Sequence, residues 1–175
     1  MLRKITFDFQ QKNGTWLTQS REAYDRGNGA VILLYNNELK TVILTRQFRM
    51  PTYLNNNPDG MLTGVCAGLL DADNPEDCIR KETQEETGYQ IDEVEKVFEV
   101  YMSPGSVTEM LYFFVAKYSK AQQLNNGGGV KDEEKIEVLE LDFEESLRMI
   151  KSGEIKDAKT IMLLQYAQIN NLMNI

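Results

Sequence analysis

The stretch Ala67-Gly68-Leu69-Leu70-Asp71-Ala72-Asp73-Asn74-Pro75-Glu76-Asp77-Cys78-Ile79-Arg80-Lys81-Glu82-Thr83-Gln84-Glu85-Glu86-Thr87-Gly88-Tyr89 spells out both ends of a helix. Asp73-Asn74-Pro75 offers a capping side chain and then proline at the first helical position, with Glu76 and Asp77 in the first turn. Gly88 supplies the stop. Inside that helix Glu82, Glu85 and Glu86 stand at i, i+3 and i+4, so three carboxylates share one face. Like charges so spaced repel by a few tenths of a kcal/mol per pair in water, and by more when partly buried. A divalent cation is the group best suited to offset that repulsion. The plain alternative is a solvated acidic face beside Arg80 and Lys81, and three glutamates alone favour it.

Working outward, Ile5, Phe7 and Phe9 alternate with polar residues and open the chain with a strand. Lys12-Asn13-Gly14 is a hairpin turn, and a second strand runs from about Thr15 to Tyr24. Arg26-Gly27-Asn28-Gly29 breaks the chain there, separating a hairpin unit (1–28) from a main domain (29–175). A lone hairpin is marginal in water, so this one has to pack on the main domain or on another subunit. A second hairpin is expected from Ala30–Tyr35 and Thr41–Phe48, then a loop over Met50–Gly60 and a strand over Met61–Cys66. Beyond the helix come strands at Val94–Tyr101 and Glu109–Tyr118, a polar loop with Gly127-Gly128-Gly129, a strand at Ile136–Leu141, and two helices capped by Asp142 and Asp157. Mixed strands with few helices indicate an α+β fold or an α/β/α sandwich around a mixed sheet. Trp16 and Met162, Leu163, Tyr166 and Ile169 of the last helix read as packing residues.

Composition removes several chemistries. The 175 residues include no His, which rules out imidazole bases and His-assisted nucleophiles, and with only two Cys there is no zinc site of ordinary type. Cys66 and Cys78 sit among apolar neighbours and read as reduced core thiols, consistent with a cytoplasmic protein. A net charge of −8 argues against general nucleic-acid binding, which needs clustered cations. The longest apolar run, Met110–Ala116, is too short to span a membrane. Metal chemistry therefore falls to carboxylate and carbonyl oxygens, which suit Mg²⁺, with Mn²⁺ as a substitute.

The Gly68–Tyr89 segment resembles the Nudix box: Gly, five residues, Glu, seven residues, Arg-Glu, an aliphatic, any residue, Glu-Glu, any residue, Gly, an aliphatic. Gly68 opens it, Lys81-Glu82 stands at the Arg-Glu pair, Glu85-Glu86 at the Glu-Glu pair, and Gly88 closes it. The loop is one residue short, Lys81 replaces Arg, and Asp73 or Asn74 stands at the first Glu; these changes bear on how loop locks to helix more than on chemistry. The resemblance implies a metal held by Glu82 and Glu86 directly, by Glu85 through water or at a second metal, and by the backbone carbonyl of Ala67.

Arg21–Gly29, Arg46–Arg49, Ser103–Glu109 and Gly153–Thr160 look like the GDP-mannose hydrolase branch of the Nudix superfamily, which resembles the ADP-ribose pyrophosphatases in fold and in its swapped homodimer. That likeness implies a nucleotide-sugar substrate touched by Arg21, Glu22, Arg49, Gly68 and Lys159. It puts Glu109 facing the substrate, and Asp132 and Glu133 on a loop over the metal, Glu133 as a ligand or catalytic group. The Gly127–Gly129 run is expected to be a flexible tether that lets Glu133 swing in.

Without His, the base is a carboxylate or a metal-bound hydroxide, and Glu109 and Glu133 both remain open as the partner of the attacking water. The expected reaction splits the pyrophosphate of GDP-mannose into GMP and mannose 1-phosphate. ADP-ribose is the alternative substrate, and a catalytically silent ligand sensor is the alternative of another class. Enzymes of the superfamily that cut the glycosidic bond instead use a His base, which this chain lacks.

Overall fold

A computed structural model describes residues 1–129 and 135–174. Two hairpins begin the chain, as the alternation predicts. β1 (Leu2–Gln10) and β2 (Trp16–Tyr24) pair along their whole length as a separate two-stranded sheet. β3 (Gly29–Asn36) and β4 (Thr41–Phe48) form the second. All eight residues of β3 are buried, the pattern of a strand covered on both faces rather than one.

The second hairpin does not close along its length. β3 and β4 pair only at Leu34–Asn36 with Thr41–Ile43, and beyond that their arms diverge. Into the gap runs the segment expected as one strand over Met61–Cys66, and here the structure corrects the sequence reading. It is two strands, β5 (Met61–Gly64) on β4 and β6 (Cys66–Leu69) on β3. Val65 makes the break: its N–H leaves the ladder and donates to Thr160 Oγ1 at 2.8 Å. The expected Met50–Gly60 loop likewise contains a five-residue helix, α1 (Met50–Leu54), with Arg49 at its N-cap and Pro51 in its first turn.

The other edges follow expectation. β7 (Glu95–Tyr101) pairs antiparallel with β8 (Met110–Lys117), β8 runs parallel to β3, and β9 (Glu137–Asp142) lies antiparallel on the outer edge of β4. The carboxylate helix, α2 (Pro75–Thr87), covers one face of the seven-stranded mixed sheet, where Ile79, Tyr89 and Ile91 pack on Ala30, Ile32, Leu34 and Phe114. α3 (Phe143–Ser152) and α4 (Ala158–Ile169) cover the other, burying Leu147, Leu163, Leu164 and Ala167 against Val31, Leu33, Val42, Leu44 and Phe113. This is the α/β/α sandwich. Met162 and Tyr166 pack on that core as expected, but Ile169 is 81% and Trp16 66% exposed, so neither packs within this chain.

Helix ends behave as written. Asn74 caps α2 by accepting from Asp77 N at 3.0 Å, and Gly88 ends it in the left-handed conformation. Asp142 and Asp157 cap α3 and α4. Asp157 does more than cap: one carboxylate oxygen accepts from Thr160 N at 3.0 Å and Thr160 Oγ1 at 2.6 Å, the other from Lys159 Nζ. The same Thr160 hydroxyl holds Val65, so one buried side chain fixes both the start of α4 and the β5–β6 break. Asp157→Ala should therefore cost about 2 kcal/mol, the upper end for loss of a cap, because a buried hydroxyl and a lysine lose their partner together. Urea unfolding followed by circular dichroism measures it, and a loss below about 0.5 kcal/mol would deny Asp157 that double role.

Candidate active site

Glu86 is the most deeply placed acid on the carboxylate face of α2, only 5% exposed. Its Oε2 accepts from Ala67 N at 3.4 Å, and the Cys66 thiol and Glu82 lie beside it. Burial pushes its carboxyl up to about 7; contacts with Cys66 and Ala67 pull the other way, Glu82 adds to the rise, and Arg49 opposes it. Arg49, though 49th in the chain and on another element, is thus brought to the carboxylates because β4 ends where α1 begins.

Glu82, half-buried, is placed by what Gly68 lacks. A Cβ on Gly68 would stand 2.2–2.5 Å from the Glu82 Cγ, Cδ and Oε1 atoms, so only glycine lets the carboxylate lie over β6. Cys78 reinforces the same contact, its thiol donating to Leu69 O at 3.2 Å, and burial raises it to about 11, which keeps it an inert thiol. Two interior threonines of α2 are satisfied without outside help: Thr83 and Thr87 each donate to the carbonyl four residues back, at 2.6 Å.

Glu109 sits just ahead of β8 with its side chain 15% exposed, and Arg26 Nε lies 3.4 Å from its Oε1. A point one Cβ out from Gly29 is 2.9 Å from Gly68 O and 3.8 Å from Glu109 Oε1, so Glu109 and the box glycine meet over the start of β3. Glu82, Glu86, Gly68, Glu109 and Arg49 therefore gather at the mouth where β3 and β4 splay apart.

Other expected residues stand differently. Glu85 is half-buried, yet among the described residues no three acidic, Cys or His side chains close on one point, and what the fold uses of Glu85 is its carbonyl, which accepts from Gly129 N at 3.1 Å. Gly128 N donates to Glu86 O at 2.9 Å, and a Cβ on Gly127 would fall 2.4 Å from that same carbonyl. The glycine run, expected as a flexible tether, is instead docked on the last turn of α2; φ angles of +65°, +113° and +84° explain why three glycines are needed. Asp132 and Glu133 lie outside the described residues. Lys159 is paired with Asp157, and Arg21 and Glu22 are exposed on the hairpin, with Arg21 bonded to Ser20 O and Gln19 Oε1. Arg26 and Cys66 are the two contacts that sequence reasoning missed. Cys66 stands two residues before the box glycine, and Arg26 lies inside the Arg21–Gly29 motif, which were the available signals.

The oxygen donors fit a hard divalent cation. Two carboxylates crowd together, one of them raised by its burial, with Arg49 as an opposing charge that acts on it. A cavity of about 660 Å³ at the other end of the sheet, among Asn36, Glu38, Asp92, Glu93 and Glu95, presents acids with Lys117 and does not suit an anionic ligand.

A mixed sheet between helices, with a loop–helix–loop that lays glutamates over a bare glycine, defines a Nudix-type hydrolase. The NUDIX domain profile matches residues 25–164, and the profile of the GDP-mannose pyrophosphatase NudK N-terminal domain matches residues 1–24. The chain belongs to the Nudix hydrolase family. It is 62% identical over 172 residues to the GDP-mannose pyrophosphatase of Yersinia enterocolitica, covering 98% of this chain and 90% of that protein. It is 60% identical over 173 residues to that of Enterobacter sp. (strain 638) and 58% identical over 173 residues to that of Escherichia coli O1:K1 / APEC, each covering 99% of this chain and 90% of the relative. Among the described residues no helix is long and apolar enough to cross a membrane.

The raised Glu86 carboxyl sets a pH dependence for the metal-free protein. Its folded pKa, about 7, exceeds the ordinary 4.5, so the fold binds more protons than the unfolded chain between those values. Stability then falls as pH rises through that window, by up to about 3 kcal/mol. Glu86→Gln removes the penalty: in a chelator at pH 8 its Tm should exceed that of the parent by several degrees, and at pH 4 the two should nearly coincide. Equal Tm values at pH 8 would show that Glu86 is not strained in the metal-free fold.

Proposed function

We propose that this chain hydrolyses the pyrophosphate bond of GDP-mannose, giving GMP and mannose 1-phosphate, with Mg²⁺ as cofactor and Mn²⁺ as a substitute. The observation that carries the reading is near-full-length identity of 58–62% to proteins named for that reaction. Glu82, Glu86 and the Ala67 carbonyl would hold the cation, with Glu85 as a ligand through water or to a second metal and Glu133 as a further ligand. When bound, the cation neutralises charge that builds on the phosphate oxygens as the bridging bond breaks.

The chain's own side chains do the rest. Arg49 offers a planar, permanently charged fork to a phosphate. Glu109 or Glu133 takes the proton from the attacking water, whose oxygen ends on one of the two phosphates as the P–O–P bridge opens. Lys159 reaches substrate by exchanging its Asp157 partner for a phosphate. Arg21 and Glu22 act from the hairpin of a second copy, which makes the working unit a cytoplasmic homodimer. The apolar side chains at Leu2, Ile5, Phe9, Trp16 and Leu17, all more than 40% exposed, support that reading, since a surface this apolar calls for a partner.

Glu82→Gln and Glu86→Gln should each lower turnover of GDP-mannose at least about 100-fold with far-ultraviolet circular dichroism unchanged. Reaction in ¹⁸O-labelled water should place label in GMP or mannose 1-phosphate; GDP and free mannose as products would sink the mechanism, whereas rapid turnover of ADP-ribose in preference to GDP-mannose would change only the substrate. Light scattering at micromolar protein should give twice the chain mass, and deletion of residues 1–24 should abolish it. A monomeric parent would remove the hairpin from the active unit.

A further inference from the structure

We propose that Arg26 is a positioning residue for the reaction, holding the Glu109 carboxylate over the box glycine and thereby tying the active site to the seating of the N-terminal hairpin. The inference rests on the reading that Glu109 faces substrate.

The geometry has three parts. First, Glu109 is largely buried, with 15% of its side chain exposed, and among the described residues its ion pair is with Arg26 at 3.4 Å. An ion pair to a largely buried carboxylate holds it in one orientation. Second, Arg26 is held on both flanks. Before it, Tyr24 N donates to Ser106 O at 2.7 Å and Thr108 N to Tyr24 O at 3.0 Å, while Thr108 Oγ1 reaches Asp25 Oδ1 at 3.3 Å. After it, Met110 N donates to Asn28 Oδ1 at 3.0 Å. Arg26 thus faces Glu109 across a short ladder fixed at residues 108 and 110, which sets it apart from a roaming surface bridge. Third, the same connector touches the start of the box loop just after β6, because Leu70 N donates to Asn28 O at 3.0 Å.

The connector is the chain's path from hairpin to sheet. A hairpin seated elsewhere would pull Tyr24 and Asp25 from the segment that carries Glu109. Arg26, 49% exposed, adds little to stability as a surface cation, so its removal should be read in catalysis and not in folding.

The test uses the full-length protein with GDP-mannose and Mg²⁺, comparing Arg26→Ala, Arg26→Lys, Glu109→Gln and the double variant Arg26→Ala/Glu109→Gln. The expected result is a loss of about tenfold in kcat for Arg26→Ala with KM within about twofold, since a small misplacement of a reacting group acts on the transition state. Arg26→Lys should recover most of the loss. In the Glu109→Gln background, Arg26→Ala should add nothing, and its thermal midpoint and mass in solution should match the parent. Parent-like kcat in Arg26→Ala alongside a slow Glu109→Gln would overturn the inference and leave the reading of Glu109 standing. Parent-like kcat in Glu109→Gln would overturn both. A loss that is independent of Glu109, or that falls on KM, would make Arg26 a direct substrate contact and overturn the positioning role. So would a loss that tracks dissociation of the protein.

Discussion

Everything at the mouth of the sheet answers to one constraint: a carboxylate, Glu86, is buried beside another, Glu82, with the Cys66 thiol, the Ala67 amide at 3.4 Å and the charge of Arg49 set against that burial. Such a pair is unfavourable by itself, because burial removes water from a group that repulsion already disfavours. The fold tolerates it because the rest of α2 is secured independently. Asn74 caps one end, Gly88 and the docked glycine run close the other, and Ile79 is fully buried beneath. The helix is thus rigid enough to hold two carboxylates where burial and repulsion both disfavour them.

The splayed hairpin is what provides the mouth. Had β3 and β4 paired to their ends, β6 would have no edge of β3 to occupy, and Gly68 would not lie beneath Glu82. The switch from β5 to β6 depends on Val65 leaving the ladder for Thr160, and Thr160 depends on Asp157. A capping residue on the far helix layer therefore reaches through the sheet to set the box loop. Long-range placement of this kind is a common way for an α/β sandwich to make a site at the end of its strands.

Much of this was legible in the sequence. Where a signal is local, reading and structure agree: Asn74-Pro75 and Gly88 bound α2, Asp142 and Asp157 begin their helices, and alternation in residues 5–9 and the apolar run in 110–116 mark strands. The common face of Glu82 and Glu86 followed from helical periodicity. What escaped was decided by distant partners. No local feature of Met61–Cys66 reveals that Thr160 will take the Val65 amide. Likewise, the Gly127–Gly129 run reads as slack until its amides are seen on the carbonyls of Glu85 and Glu86. Arg26 escaped for the same reason, since its partner lies 83 positions on, in a segment read for other residues.

Trp16 teaches a different lesson. An indole at the tip of a hairpin is a sound candidate for burial, yet it stands 66% exposed, and the Phe7 and Phe9 side chains of the facing strand are 40% and 55% exposed. Among the described residues the hairpin is bonded at Tyr24 and Asp25 to Ser106 and Thr108, ahead of β8, through backbone and short polar groups. It is therefore held by direction and register, with its apolar area left over. Hydrogen bonds of that kind fix where a strand points but contribute little net stability, whereas apolar burial contributes in proportion to area. The two roles are divided within one element: its end is aligned to the segment carrying Glu109, and its length remains free for a surface that the single chain does not supply. On the proposed dimer that division places the orientation of the site and the energy of assembly on separate residues. Substitutions at Ile5, Phe9 or Trp16 then act on association, and those at Arg26 on chemistry.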